Sequence, residues 1–220
     1  MTPYYDHNGI TIYHGDARDF LPSLVANVVL TDPPYGINGG SGTINKARGK
    51  GNYQANFIDD RTYIESVIVP VIQGLIEHVG CVVLTPGAIN FDLYPRPNSF
   101  GVFFQPASVG LQVFGNMDAQ PIFYYGKNAP GRNMGVPCSY RLTEPPPIVD
   151  HPCAKPFLAW RRLLSNIAKP GHVILDPFMG SGTTLRAAKD LGMRAIGIEI
   201  EERYCEIAAR RLSQEVMELV

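Results

Sequence analysis

Apolar residues in this chain fall into short runs with two distinct spacings. Seven runs are short, wholly or mostly apolar, and flanked by polar or turn-forming residues, which predicts buried strands at 10–13, 27–30, 81–84, 101–104, 122–125, 173–175 and 195–198. Elsewhere the apolar positions recur every three or four residues. Ile64, Val67, Ile68, Val71, Ile72, Leu75, Ile76 and Val79 predict a helix with a wide apolar face. Pro70 interrupts it, and proline has no N–H and clashes with the preceding turn, so a kink, or a short helix followed by a longer one, is expected there. Phe157, Trp160, Leu163, Leu164 and Ile167 mark a second helix with Trp160 in its core face. A third continues through 185–191, and Tyr204, Ile207, Ala208, Leu212 and Val216 mark a last one. Strands alternating with helices imply an α/β fold around a mostly parallel sheet. The proline cluster at 145–147 breaks the pattern and reads as a surface linker.

Four of the apolar runs lead into an acid just past the expected strand end: Asp16, Asp32, Asp176 and Glu199. Open α/β sheets bind ligands outside the carboxyl ends of their strands, so these carboxylates point to a site for hydroxyls, amines or positive charge. The alternative for each one singly is a cap on the helix that follows the strand.

Asp176-Pro177-Phe178-Met179-Gly180-Ser181-Gly182-Thr183-Thr184 reads as a strand end, a tight turn and a helix start. Gly180 and Gly182 allow a close backbone approach to a ligand, and Ser181, Thr183 or Thr184 can cap the helix. Glu199 follows Asp176 by 23 residues (199 − 176), about the spacing at which an acid meets ribose hydroxyls in nucleotide-binding folds. No Gly-Lys-Ser/Thr follows, and the third glycine of the dinucleotide fingerprint is missing. A cofactor with a ribose but no pyrophosphate fits this turn better, S-adenosylmethionine being the common one.

Leu30-Thr31-Asp32-Pro33-Pro34-Tyr35-Gly36 is the most specific stretch. Two prolines fix two φ angles and remove two donors. An acid, rigid carbonyls and an aromatic ring suit a flat group bearing NH₂, such as a base extruded from a helix.

With these residues in hand, the chain resembles the amino-methyltransferases of DNA. Asp32-Pro33-Pro34-Tyr35 is similar to their DPPY catalytic motif, 178–182 to their FxGxG cofactor loop, and 151–156 to their HPxxKP segment. The order, catalytic motif first and cofactor loop last, matches the permuted β class. The resemblance implies a Rossmann-like methyltransferase fold, with a mostly parallel twisted sheet, helices on both faces and a single domain over 1–220. It implies that S-adenosylmethionine is held by Asp16, Lys155, Asp176, Phe178, Gly180, Ser181, Gly182, Thr183 and Glu199. Lys155 would hold the amino-acid end of the cofactor, Glu199 the ribose, and Asp16 the adenine amino group. Asp32 and the Pro33 carbonyl would accept from the target amino group, and Tyr35 would stack on the flipped base. Asp at position 32 favours adenine N(6), since cytosine N(4) enzymes of this pattern more often carry Ser there. No metal and no covalent intermediate are required.

Composition narrows the picture further. Of 220 residues, 45% are hydrophobic and 18% charged, the balance of a folded domain. No run approaches the roughly 20 apolar residues that span a bilayer, no secretory signal is visible, and the four cysteines form no CxxC pair, all of which suit the cytoplasm. The net charge of −1 says nothing of a nucleic-acid partner, but its distribution does. The acid-free stretches 33–58 and 119–143 carry Lys46, Arg48 and Lys50, and Lys127, Arg132 and Arg141, where phosphate contacts are expected. The segment around 128–150, where larger relatives place a target-recognition region, is very short. Specific DNA interfaces bury on the order of 1,000 Å² or more, so a homodimer or relaxed specificity is expected. Other readings are cytosine N(4) methylation, an RNA adenine substrate, and a non-catalytic binding subunit, the last disfavoured by the intact motifs. Cys138, His151 and Cys153 fit no common zinc spacing.

Overall fold

The computed structural model describes residues 2–36, 59–104, 110–112, 115–126, 138–142 and 155–214. All seven expected strands are present: β2 (Ile10–His14), β3 (Val28–Thr31), β4 (Val82–Leu84), β5 (Ser99–Phe104), β8 (Ala119–Tyr125), β10 (Val173–Asp176) and β11 (Arg194–Glu199). Four short strands join them: β1 (Tyr5–His7), β6 (Gly110–Gln112), β7 (Gly115–Met117) and β9 (Tyr140–Arg141). β1 turns back onto β2 through Asn8 and Gly9, both at positive φ (50° and 77°), as a two-residue hairpin turn requires.

Nine strands form one sheet in the order β1-β2-β11-β10-β3-β4-β8-β5-β9, while β6 and β7 pair apart from it. The five from β2 to β4 in that order are parallel, and β1 and β8 run antiparallel to their neighbours β2 and β4. From β10 the chain passes to β11 on one side, whereas from β3 it passes to β4 on the other. β10 and β3 therefore flank the point where the connections diverge, the place at which such sheets open a crevice.

The sheet is buried on both faces. On one, Ile10, Ile12, Val28, Leu30, Ile174 and Ala195 meet the helices α4 (Phe157–Ile167), α5 (Thr183–Asp190) and α6 (Glu202–Ser213) through Trp160, Leu163, Leu185 and Ala208. On the other, Val29, Val82, Leu84, Leu175 and Ile198 meet Ile64, Ile68, Ile72 and Leu75, together with Ala17 of α1 (Ala17–Phe20). The alternation between Val28 and Val29, or Ile174 and Leu175, is the period-two pattern of a strand with an apolar layer on each side. The expected interruption at Pro70 takes a definite form. A short α2 (Arg61–Tyr63) leads into a π-helical stretch, Ile64–Ile68, and α3 (Val69–His78) then begins with Pro70 in its first turn, where its missing N–H costs nothing. Among the described residues, no helix is long and apolar enough to cross a membrane.

Candidate active site

The four acids singled out by their position after strands converge on one edge of the sheet. Glu199 and Asp176 are the last residues of β11 and β10, Asp32 follows β3 directly, and Asp16 lies two residues beyond β2. Those four strands are consecutive in the sheet.

Asp32 is the centre of a polar cluster drawn from five parts of the chain. Its Oδ1 accepts from the Tyr35 phenol at 2.5 Å and from the Thr85 hydroxyl. Its Oδ2 pairs with Lys155 Nζ at 2.6 Å, with the two side chains 20% and 12% exposed. Tyr35 Oη in turn accepts from Lys155 Nζ at 2.6 Å and from Gln120 Nε2 of β8. The Lys155 ammonium also stands 5.0 Å from the Tyr35 ring centroid. Asn90 Nδ2 donates to the carbonyls of Tyr35 and Gly36 at 2.7 and 3.5 Å, and Gly36 N donates to Asp59 Oδ1 at 2.7 Å. Gly87 leaves room for the Tyr35 ring, since a Cβ there would come within 2.9 Å of it. Burial and the neighbouring Asp32 charge push the Tyr35 phenol up, so it stays protonated. Burial alone would lower the Lys155 ammonium, but Asp32 and Tyr35 outweigh it and push it up, so it stays charged. The DPPY turn is therefore held in one conformation around an ion-paired carboxylate.

The glycine turn is built differently. Asp176 is buried: its Oδ1 accepts from Thr31 Oγ1 at 2.7 Å and Phe178 N at 3.2 Å, and its Oδ2 from Thr184 Oγ1 at 2.5 Å. Thr184 Oγ1 also accepts from Trp160 Nε1 at 2.8 Å, which ties α4, α5, β10 and β3 together. Ser181 is buried, and its carbonyl and hydroxyl oxygens accept from Arg211 of α6 at 2.5 and 3.1 Å. Here the sequence-based expectation of a hydroxyl cap on α5 is corrected. The N-cap is Gly182, at φ 79°, without a side-chain bond, because Thr184 and Ser181 are drawn to Asp176 and Arg211 instead. Thr183 is buried in the first turn of α5.

Glu199 faces the same turn. Oε2 accepts from Gly180 N at 2.9 Å and Oε1 from Glu201 N at 2.9 Å. A carboxylate oxygen has two lone-pair sites, so each can take one further donor, as a ribose diol would supply. The backbone at Gly180 lies beside it, and half-buried Phe178 belongs to the same turn. Asp16 caps α1 through Arg18 N and forms an ion pair with the Arg18 guanidinium at 2.6 Å, a bond that holds its carboxyl below the usual range.

Burial pushes the Glu199 carboxyl up to about 7 against its two amide bonds, and Asp176 up to about 6. An acid whose folded pKa is raised stabilises the fold when protonated, and that contribution fades as pH rises through the folded value. The thermal midpoint is therefore expected to rise as pH falls from 8 toward 5, with a shallower slope in Glu199→Gln. Unfolding curves over that window check it, and equal slopes for the two proteins would refute the assignment.

The structure thus gathers Asp32, Tyr35 and Lys155 in one cluster, and Gly180 and Glu199 in another, with Phe178 in the same glycine turn. Lys155 is found on Asp32. Pro33 is buried and Pro34 half-buried in the same turn. Of the basic residues expected at phosphates, Arg141 is exposed on β9, while Lys46, Arg48, Lys50, Lys127 and Arg132 lie outside the described residues, as do His151 and Cys153. Thr85, Asn90 and Gln120 were not anticipated. Only a polar residue at the end of β4, and another in the otherwise apolar β8, hinted at two of them.

Comparison with known proteins finds relatives and solved structures of the same fold. A family model described as DNA methylase matches residues 122–210, from β8 to α6. The Type II methyltransferase M2.DpnII of Streptococcus pneumoniae is 28% identical over 97% of this chain and 93% of its own length. M.HinfI of Haemophilus influenzae is 42% identical over 29% of this chain and 18% of its own length. Among solved structures, the cytosine-N4-specific PvuII DNA methyltransferase superposes with a TM-score of 0.73 at 15% identity, over 98% of this chain and 90% of that one. The M1.HpyAVI–SAM complex does so with 0.63 at 22% identity, over 92% and 99%. The fold is the Rossmann-like methyltransferase fold.

Proposed function

We propose, from its kinship with the β-class amino-methyltransferases of DNA, that this chain transfers the methyl group of S-adenosylmethionine to the exocyclic amino group of adenine in DNA. The observation that carries the reading is Asp32, an ion-paired acceptor fixed at the carboxyl edge beside the point where the strand connections diverge. The cofactor, when bound, supplies an activated methyl group on a sulfonium. Glu199 would receive its ribose hydroxyls, Phe178 and the Gly180 backbone would line its amino-acid part, and Asp16 would stand at its adenine. Asp176, Ser181, Gly182 and Thr183 hold that wall in place from behind.

A base amino nitrogen is a poor nucleophile because its lone pair is delocalised into the ring. A hydrogen bond to Asp32, with a second to the Pro33 carbonyl, favours a pyramidal nitrogen with its lone pair directed at the methyl carbon. As the N–C bond forms, positive charge grows on nitrogen, and a carboxylate already in place stabilises it without reorganisation. Alignment of the two reactants supplies much of the remainder.

The carboxylate at position 32, where related cytosine enzymes more often carry serine, favours adenine. The short segment around 128–150 leaves little surface for reading a sequence, and a second copy of the chain would add to it. The protein with labelled cofactor and, in parallel samples, unmethylated genomic DNA or total RNA, digested to nucleosides, tests the proposal: label is expected in N(6)-methyladenine from the DNA. Label in N(4)-methylcytosine would overturn the choice of base, and label in RNA alone the choice of nucleic acid.

A further inference from the structure

Both oxygens of Asp32 are engaged by the chain's own donors, and they are held in different ways. Oδ1 accepts from two hydroxyls, of Tyr35 and Thr85, on side chains that the fold fixes. Thr85 is buried and its backbone N bonds to Thr31 O at 3.3 Å. The Tyr35 ring rests against Gly87, and its carbonyl is held by Asn90. Oδ2 is held by Lys155, which reaches it through four methylenes from just before α4. Oδ1 already takes two donors and Oδ2 only one, so an amino group that reaches Asp32 meets Oδ2, where the Lys155 ammonium is the donor it competes with. Displacing either hydroxyl would unseat the turn itself. The Lys155 ammonium, by contrast, retains Tyr35 Oη as a partner when it leaves Oδ2.

We infer that Oδ2 is the oxygen that receives the target amino group, and that Lys155 is a positioning residue which caps it and is displaced by the base. This inference rests on the proposed function. Thr85 then has the complementary task of fixing Oδ1, so that Oδ2 points the same way whether or not Lys155 is on it.

The inference predicts a sign opposite to ordinary electrostatics. Removing a lysine from a protein that binds nucleic acid normally weakens binding, because phosphate attraction is lost. Here the charge competes with the substrate, so Lys155→Met is expected to lower KM for unmethylated genomic DNA at least threefold. Lys155→Arg, which keeps the charge, should stay near the native value. Thr85→Val should lower kcat and leave KM unchanged. Steady-state methyl transfer at saturating cofactor reads all four proteins, with thermal melts to confirm folding and Lys155→Gln in reserve if the methionine variant does not fold. An unchanged or raised KM without the Lys155 charge would overturn the inference while leaving the proposed function standing. Absence of transfer by the native protein would remove both, and shows in the native sample alone.

Discussion

Replacing Asp32 by alanine is expected to lower the rate of methyl transfer by at least about a thousandfold while leaving the affinity for S-adenosylmethionine within a few fold. The first part follows from the proposed role. Removing one preorganised group that stabilises developing charge costs roughly 10²–10³ in rate. Asp32 is asked to do that and also to orient the nitrogen, so the upper end applies. The second part follows from the geometry. Asp32 is bonded to Tyr35, Thr85 and Lys155, whereas the glycine turn is supported by Glu199, Asp176 and Arg211. Asp32→Ala also leaves the Lys155 ammonium without its carboxylate in a mostly buried place, so some stability is lost as well. Asp32→Asn keeps the shape and separates the two effects. Single-turnover transfer and calorimetric titration of the cofactor make the measurement. A variant that retains a tenth of native activity would show that the acid is not at the reacting nitrogen.

The second large effect is expected at Gly197, which no functional motif includes. It sits in β11 with extended neighbours on a buried strand, and a Cβ there would collide with Met179 Sδ and stand 2.8 and 3.0 Å from the two methyls of Leu185. Both neighbours are buried, Met179 in the glycine turn and Leu185 in α5. Gly197→Val is expected to destabilise the protein by about 3 kcal/mol, the upper range for overpacking a tight core. Met179 belongs to the glycine turn, its N bonded to Ile198 O at 3.1 Å, so repacking its side chain is expected to lower cofactor affinity at least tenfold in whatever fraction stays folded. Denaturant unfolding and cofactor titration check this, and a variant normal in both would show that the turn is not braced from below.

Much of this arrangement can be read from the chain itself. The seven main strands follow from apolar runs, and the line of carboxylates follows from noting what comes after each run. Asn8-Gly9 between two short extended stretches is a hairpin signal that the strand pattern alone passes over. The two-residue β9 carries no periodicity at all. The partners of Asp32 and Tyr35 could not be read in the same way. Thr85 and Gln120 lie 53 and 85 residues from the groups they bond, and nothing local distinguishes them from any other polar residue near a strand end. The same holds for the hydroxyls of the glycine turn. Local rules assign Ser181 and Thr184 to the start of α5, but a distant arginine and a buried aspartate compete for them and win.

The bond between Thr31 and Asp176 joins residues 145 positions apart, and this sets a timetable for the nascent chain. β2 and β3 leave the ribosome early, yet in the finished sheet β10 and β11 stand between them. At synthesis rates of about 5–20 residues per second, the gap between the two early strands waits roughly 10–30 s for the strands that fill it. Through that interval the turn at Asp32 exists without its lysine, and the inner edges of β2 and β3 are open to any passing strand. Chaperone dependence during translation is the expected cost of threading the centre of the sheet last.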